Sequence, residues 1–417
     1  MRKLKDSGVE WLGQIPSNWE VVANKHLMKK VKNIRSVYSG EDVLSLTMRG
    51  VIVRDLENPS GKMPATFDGY QYVEAGNLLM CLFDIDVTPR CIGLIKNDGV
   101  CSPAYSQFRL TDVADAGFYY YYYLNLDYSK ELLHLAKNLR HSLTEDQLGA
   151  IPTALPPIEE QRKIVCFLDE RLLQVDDLIT NVQSQIEKLK AYKQSLLTEV
   201  ITKGLQPNAR TKDSGVEWLG AINESFSVCP IRSIFRIKKE IIGREPSTVL
   251  SITQNGLRIK NVNENEGQMA NSYAHYQIVK IGDFAMNHMD LITGGIGIAE
   301  IEGVTSPDYR VFEKKNDEYC SRYFLYLFEM YYKNRIFYAF GQGAANIGRW
   351  RLPAQNFNSL VIPVPPVKDQ FEIAAYLDEK CSTINQLIDV KQRKIDKLNE
   401  YKKSLIYEYV TGKKEVQ

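Results

Sequence analysis

Lys5-Asp6-Ser7-Gly8-Val9-Glu10-Trp11-Leu12-Gly13 recurs letter for letter as Lys212-Asp213-Ser214-Gly215-Val216-Glu217-Trp218-Leu219-Gly220, an offset of 207 (212 − 5) in a chain of 417 residues. One half of the chain is a reworked copy of the other, and a repeat of that kind governs the architecture. A longer match follows at an offset of 209 (365 − 156). Pro156-Pro157-Ile158-Glu159-Glu160-Gln161 faces Pro365-Pro366-Val367-Lys368-Asp369-Gln370, and Phe167-Leu168-Asp169-Glu170 faces Tyr376-Leu377-Asp378-Glu379. Roughly 140 residues separate these blocks in each half, and there the halves scarcely agree. Each half therefore reads as a short lead, a variable globular region and a long repeated segment.

The long segments are helical by periodicity. Gln161, Val165, Leu168, Leu172, Val175, Ile179, Val182, Ile186, Leu189, Lys193, Leu196 and Val200 are spaced alternately by four and three. This is a heptad seam, with Gln161 and Lys193 read as its polar interruptions. The second copy supplies Leu377, Cys381, Ile384, Ile388, Lys391, Ile395, Leu398, Lys402, Leu405 and Tyr409. Neither run contains Pro or Gly, and each double proline sits where a helix start tolerates a missing N–H. A helix from about 158 to 203 would be roughly 65–70 Å long. An apolar stripe of that length needs a partner, and the other copy is the nearest one. The expectation is an antiparallel coiled coil, against the plainer reading that each helix serves only its own domain.

The expected fold class is α+β: two globular regions joined by two long helices, with a pseudo-two-fold internal repeat. The expected boundaries are a lead over 1–13, a globular region over 14–155, a helix over 156–206, a repeated lead over 207–220, a second globular region over 221–364 and a second helix over 365–413. Ser7-Gly8-Val9-Glu10 and Ser214-Gly215-Val216-Glu217 have capping-box spacing, so the lead reads as a short docking turn. The first lead should dock near the end of the second long helix, closing a pseudo-circular arrangement.

Composition is that of an ordinary globular protein, with 44% hydrophobic and 25% charged residues. No apolar run reaches the ~18 residues of a membrane span, and MRKLKDSGVE carries no signal-peptide core. Seven scattered cysteines read as reduced thiols, which points to the cytoplasm and not to a disulfide framework or a metal site.

The net charge of +1 is uninformative, but its distribution is not. Lys25, Lys29, Lys30, Lys32 and Arg35 form an acid-free cluster, and Arg232, Arg236, Lys238, Lys239 and Arg244 occupy the corresponding place. Lys25/Arg232, Lys29/Arg236 and Lys32/Lys239 coincide at the 207 offset. One such cluster reads as a solvated face; two at equivalent positions point to a phosphate-contacting edge.

Within the variable regions, 43–47 and 248–253 are β-type runs leading to Gly50 and Gly256. Residues 77–80 match 283–286, and 100–105 match 304–309, so the regions share a scaffold. Tyr119–Tyr123 and Tyr319–Leu327 read as packed helices. Arg140 and Arg349 are equivalent, and with Arg351 they could reach a phosphate or a guanine edge, or simply pair within their own domain. Ser36, Tyr38, Thr47 and Arg49, with Thr253, Gln254, Asn255 and Arg258, are polar residues at expected loop tips. Each is a candidate for base reading or an ordinary solvated residue. Walker A, HExxH and paired CxxC motifs are absent, and the clusters Gly294-Gly295-Ile296-Gly297 and Gly341-Gln342-Gly343 read as turns. Nothing in the sequence supports catalysis.

The whole pattern resembles the specificity subunits of type I restriction–modification systems. The resemblance rests on the lead Asp6–Trp11 with Ile15-Pro16-Ser17-Asn18-Trp19-Glu20, on the exits Leu155-Pro156-Pro157 with Gln161 and Val364-Pro365-Pro366 with Gln370, and on the repeated helices. It spans the chain in order, apart from Ile222-Asn223-Glu224-Ser225-Phe226 after the second lead. It implies that each variable region is a target-recognition domain reading one half of a split DNA sequence. The helices would space the half-sites and hold two modification subunits, which would bring the S-adenosylmethionine chemistry. Restriction subunits would join them. Two other classes compete: a two-headed coiled-coil scaffold that grips proteins, and a single-chain enzyme.

Overall fold

The computed structural model describes residues 2–59, 61, 63–136, 141–254, 256–261, 270–343 and 350–416. They form two compact units: Met1–Gln183 with Gln392–Gln417, and Ser184–Lys391. Each unit thus takes part of both long helices, Ile158–Lys203 and Val367–Val410.

The two units repeat one topology. In the first, a four-stranded antiparallel sheet has the order Met28–Val31, Ser106–Leu110, Leu78–Met80, Ile92–Leu94. In the second the order is Phe235–Lys238, Arg310–Lys314, Phe284–Met286, Ile296–Ile298. A hairpin accompanies each sheet: Leu44–Thr47 with Gly50–Val53, and Leu250–Thr253 with Gly256–Ile259. A helix packs against each sheet, Ala116–Ser129 and Ser321–Lys333. The skeleton is shared but the filling is not. The first core packs Trp19, Phe118, Tyr119 and Tyr122 edge to face, whereas the second packs Phe235 against Phe284, Phe312, Phe324 and Phe328.

The long helices run antiparallel within each unit. In the first unit Phe167 stacks on Tyr409 and Lys402 pairs with Asp176. In the second, Lys391 bonds Gln185 and Lys193 bonds Asn385. Position numbers rise along one helix as they fall along the other. Leu168, Leu172, Val175, Ile179, Val182 and Ile186 are buried, as are Leu377, Ile384, Ile395 and Leu405. Leu189, Leu196, Ile388 and Leu398 are half-buried. The coiled-coil reading of the seam therefore holds.

Gln161 is not a flaw in that seam. It and Gln370 are completely buried and act as latches. The Gln161 amide oxygen accepts from Asp115 N at 2.7 Å while its NH2 donates to Pro156 O at 2.7 Å and Val113 O at 2.9 Å. Gln370 accepts from Cys320 N at 3.1 Å and donates to Pro365 O at 2.9 Å. Two tyrosines per unit reinforce each latch. Tyr119 donates to Ala154 O and Tyr121 to Asp169; Tyr323 donates to Pro363 O and Tyr326 to Asp378. A buried polar group must be satisfied, and these bonds fix each sheet–helix body to the start of a long helix.

The lead is a β-hairpin and not a capped helical turn. Leu4–Asp6 pairs with Gln14–Pro16, and Thr211–Asp213 with Ala221–Asn223. Asp6 Oδ1 accepts from Gly8 N and Ser7 Oγ from Val9 N, so Ser7 does not cap the Glu10 amide, and a single turn follows in which Leu12 N and Gly13 N donate to Val9 O. Gly8 at φ +70° and Gly215 at +69° take a left-handed turn. In the first unit the lead docks on the end of the second long helix. Leu12, Ile15 and Trp19 share a core with Leu405, Ile406, Tyr409 and Val410, and Lys413 Nζ donates to Leu12 O and Gln14 O. In the second unit Leu219, Ile222 and Phe226 meet Leu197, Val200 and Ile201 in the same manner.

Candidate nucleic-acid interface

The first basic cluster stays largely exposed. Lys25, Lys29 and Lys32 are exposed, with Lys29 on the sheet's edge strand. Lys30 pairs with Glu145 at 3.3 Å. Arg35 lies 4.7 Å over the Tyr72 ring and 3.9 Å from Glu41. Ser36 is exposed, whereas Tyr38 is a structural anchor: its hydroxyl donates to Glu41 O and its ring packs on Phe67.

The second cluster is partly spent internally. Arg236 pairs with Glu313, and Lys238 bridges Glu313 and a buried Asp283. Arg232, Lys239 and Arg244 are exposed. The two clusters occupy equivalent strands but are not electrostatically equal. Exposed surface pairs contribute little to stability, so the Arg236–Glu313 pair mainly lowers local positive potential.

Thr47 and Thr253 do the same job. Each hydroxyl donates at 3.0 Å to the carbonyl of the turn glycine three residues on, Gly50 or Gly256. Those glycines sit at φ +97° and +96°. Arg49, Gln254 and Arg258 are exposed around these turns, and Gln254 also donates to Thr293 O at 3.3 Å. Arg140, Asn255 and Arg349 lie outside the described residues. Arg351 is exposed, with its guanidinium 3.1 Å from Met289 Sδ.

Sequence reading missed what seats the hairpins. A Cβ built on Gly93 would lie 2.6 Å from Val51 and 2.7 Å from Leu46; one on Gly297 would lie 2.5 Å from Leu257. One on Gly295 would lie 2.1 Å from Thr253 O, and one on Gly294 2.0 Å from Asp290 O. These glycines permit close approach, and Gly295 and Gly297 serve that purpose where the sequence suggested a turn. The equivalence of Gly93 and Gly297, both second in an Ile-Gly pair, was the available signal.

The second unit holds one charge arrangement without a counterpart among the described residues of the first. Arg310 is 5% exposed, donates to Leu352 O at 2.7 Å and lies 4.7 Å from the Phe357 ring. Burial lowers its pKa to about 10. Beside it His288 has a buried Nδ1 without a partner among the described residues. Burial first, then Arg310 and Arg351, push the His288 pKa down to about 3. The imidazole is therefore neutral in the folded state. An unfolded histidine titrates near 6.5, so stability is complete above that pH and is lost as pH falls toward the folded value. Acidification from pH 7 to 5 should cost the second unit about 2 kcal/mol through this residue. His288→Leu, which installs the residue found at the equivalent Leu82, should remove that increment in urea titrations at the two pH values.

The geometry defines a protein with two units of like topology and different surface, each latched to a long antiparallel helix pair. Known proteins agree. The chain is 25% identical over 309 residues to a Methanocaldococcus jannaschii protein described as the type I restriction enzyme MjaX specificity subunit, covering 71% of this chain and 68% of that one. It is 24% identical over 283 residues to the type I restriction enzyme MjaVIII specificity subunit of the same organism, covering 63% of this chain and 62% of the relative. No family model matches. A solved chain from work on complex assembly and conformational transition of the type I restriction–modification system superimposes with a TM-score of 0.66 at 15% identity, covering 95% of this chain and 98% of that one. In sequence the chain is thus similar to type I specificity subunits, and in fold to a chain of a type I restriction–modification system. No helix among the described residues is long and apolar enough to cross a membrane.

Proposed function

We propose that this chain is the non-catalytic, sequence-specific DNA-binding subunit of a cytoplasmic type I restriction–modification complex. Each unit reads one half-site of a split, asymmetric target in double-stranded DNA. The helix pair spaces the readers and docks two modification subunits, which hold S-adenosylmethionine and methylate adenine; restriction subunits complete the assembly. The observation that carries this reading is the repetition of topology, latches and turn geometry while outward residues differ. Two unlike readers on one frame are what a bipartite asymmetric target requires. The similarity to specificity subunits supports it.

A protein-gripping scaffold would share the repeat but not the dependence on phosphate. Duplex binding by the chain with its modification subunits should weaken steeply with salt, because each neutralised phosphate releases counterions. Binding that is absent, or indifferent to salt between 50 and 200 mM (about a 10³–10⁵-fold loss being typical for six to ten phosphate contacts), would favour the scaffold.

A further inference from the structure

We propose that the hairpin of each unit is its exchangeable reading element, entering the major groove tip first. Positions 48, 49 and 52 would set base preference in the first unit, and positions 254 and 258 in the second. The inference rests on the DNA-reading assignment above and adds which element reads.

The inner face of each hairpin is a constant mount. Leu44, Leu46 and Val51 in the first, and Leu250, Ile252 and Leu257 in the second, turn apolar side chains toward the sheet. The mount is tight, since Gly93 and Gly297 leave no room for a Cβ beneath Val51 and Leu257. A second pair of glycines holds the base of the hairpin: a Cβ on Gly99 would lie 2.4 Å from Asp42 O, and one on Gly303 2.9 Å from Leu250. The residues that close each turn are constant as well: Thr47 donates to Gly50 O and Thr253 to Gly256 O, with both glycines at positive φ.

What varies on this frame faces outward. In the registers Ser45↔Ile52 and Ser251↔Arg258, the pairs lie on the face opposite the mount, so Ile52 and Arg258 are equivalent. At the tip Met48 is equivalent to Gln254, and Met48 is 60% exposed. The chemistry matches base edges. A two-stranded ribbon fits the ~12 Å major groove, Arg pairs with guanine, Gln with adenine, and an apolar tip suits the thymine methyl. A side chain varied on an invariant backbone can change the base read without moving the reader.

The test exchanges outward residues in the full chain, bound to its modification subunits, and selects bound duplexes from a random pool. The first variant is Met48→Gln with Ile52→Arg; the reciprocal one is Gln254→Met with Arg258→Ile. Each should alter one half-site only and bind the wild-type sequence about tenfold or more weakly. I52R should gain a guanine preference and R258I should lose one, with the other half-site and the gap retained. Met48→Gln alone, at a solvent-facing position, keeps the test valid should a double variant misfold. If the variants select the wild-type sequence with unchanged affinity, or if both half-sites change, the hairpin is not the reader even though DNA recognition stands. A wild-type complex that selects no sequence would instead overturn the DNA-reading assignment, and this inference with it.

Discussion

Removing residues 405–417 is expected to unfold the first unit and leave the second folded. The truncation takes Leu405, Ile406, Tyr409 and Val410 out of the first core, all 9% exposed or less. Each fully buried side chain of this kind contributes about 1.5–3 kcal/mol. The loss is therefore about 6–12 kcal/mol, comparable to the whole 5–15 kcal/mol stability of a typical domain. The truncation also deletes the Lys413 bonds to Leu12 O and Gln14 O and the contact of Gly412 with Pro16 and Trp19. The second unit's share of the second long helix ends at Lys391. Limited proteolysis should digest residues before 183 rapidly while 184–391 resists. An unchanged pattern would show that the lead and the chain end do not hold each other.

The second large effect concerns the helix pair. Inserting seven residues between Val182 and Gln183, together with seven between Lys394 and Ile395, preserves the heptad phase of both helices. Val182 and Ile395 are both buried in the seam of the first unit, so the added layers continue an existing register. At 1.5 Å per residue the pair grows by about 10 Å, or about three base pairs at 3.4 Å each. The complex should abandon its original target, losing at least about 100-fold in affinity on the scale that separates specific from nonspecific binding. It should select the same two half-sites at a longer gap. A point change on a hairpin should leave the gap untouched.

The frame was legible because it depends on local periodicity. Heptads that run from Gln161 to Val200, prolines before Ile158 and Val367, and matched strands at 78–80 and 284–286 all declare themselves along the chain. What stayed hidden depends on residues far apart. Gln161 read as a polar interruption because its partners at Val113 and Asp115 lie nearly fifty positions away. Arg236 and Lys238 read as a basic cluster, yet Glu313 from the neighbouring strand answers both. The capping-box spacing of the lead was genuine as spacing, but Asp6 and Ser7 bind the backbone first and Gly8 turns it away from a helix. The cluster Gly294-Gly295-Ile296-Gly297 reads as a turn, yet Gly295 and Gly297 make room for the hairpin that packs against them. The candidate site was legible only as residue types. Thr47 and Thr253 turned out to build the tip, while Met48, which no polarity argument would choose, stands exposed on it.

The central claim is that one chain reads two unlike half-sites at a fixed separation. Sequencing the duplexes that the complex with its modification subunits selects from a fully random pool tests it most directly. The account predicts two short conserved blocks of different sequence, always separated by the same number of unspecified base pairs. A single continuous block, two blocks at variable separation, or no enrichment at all would contradict it.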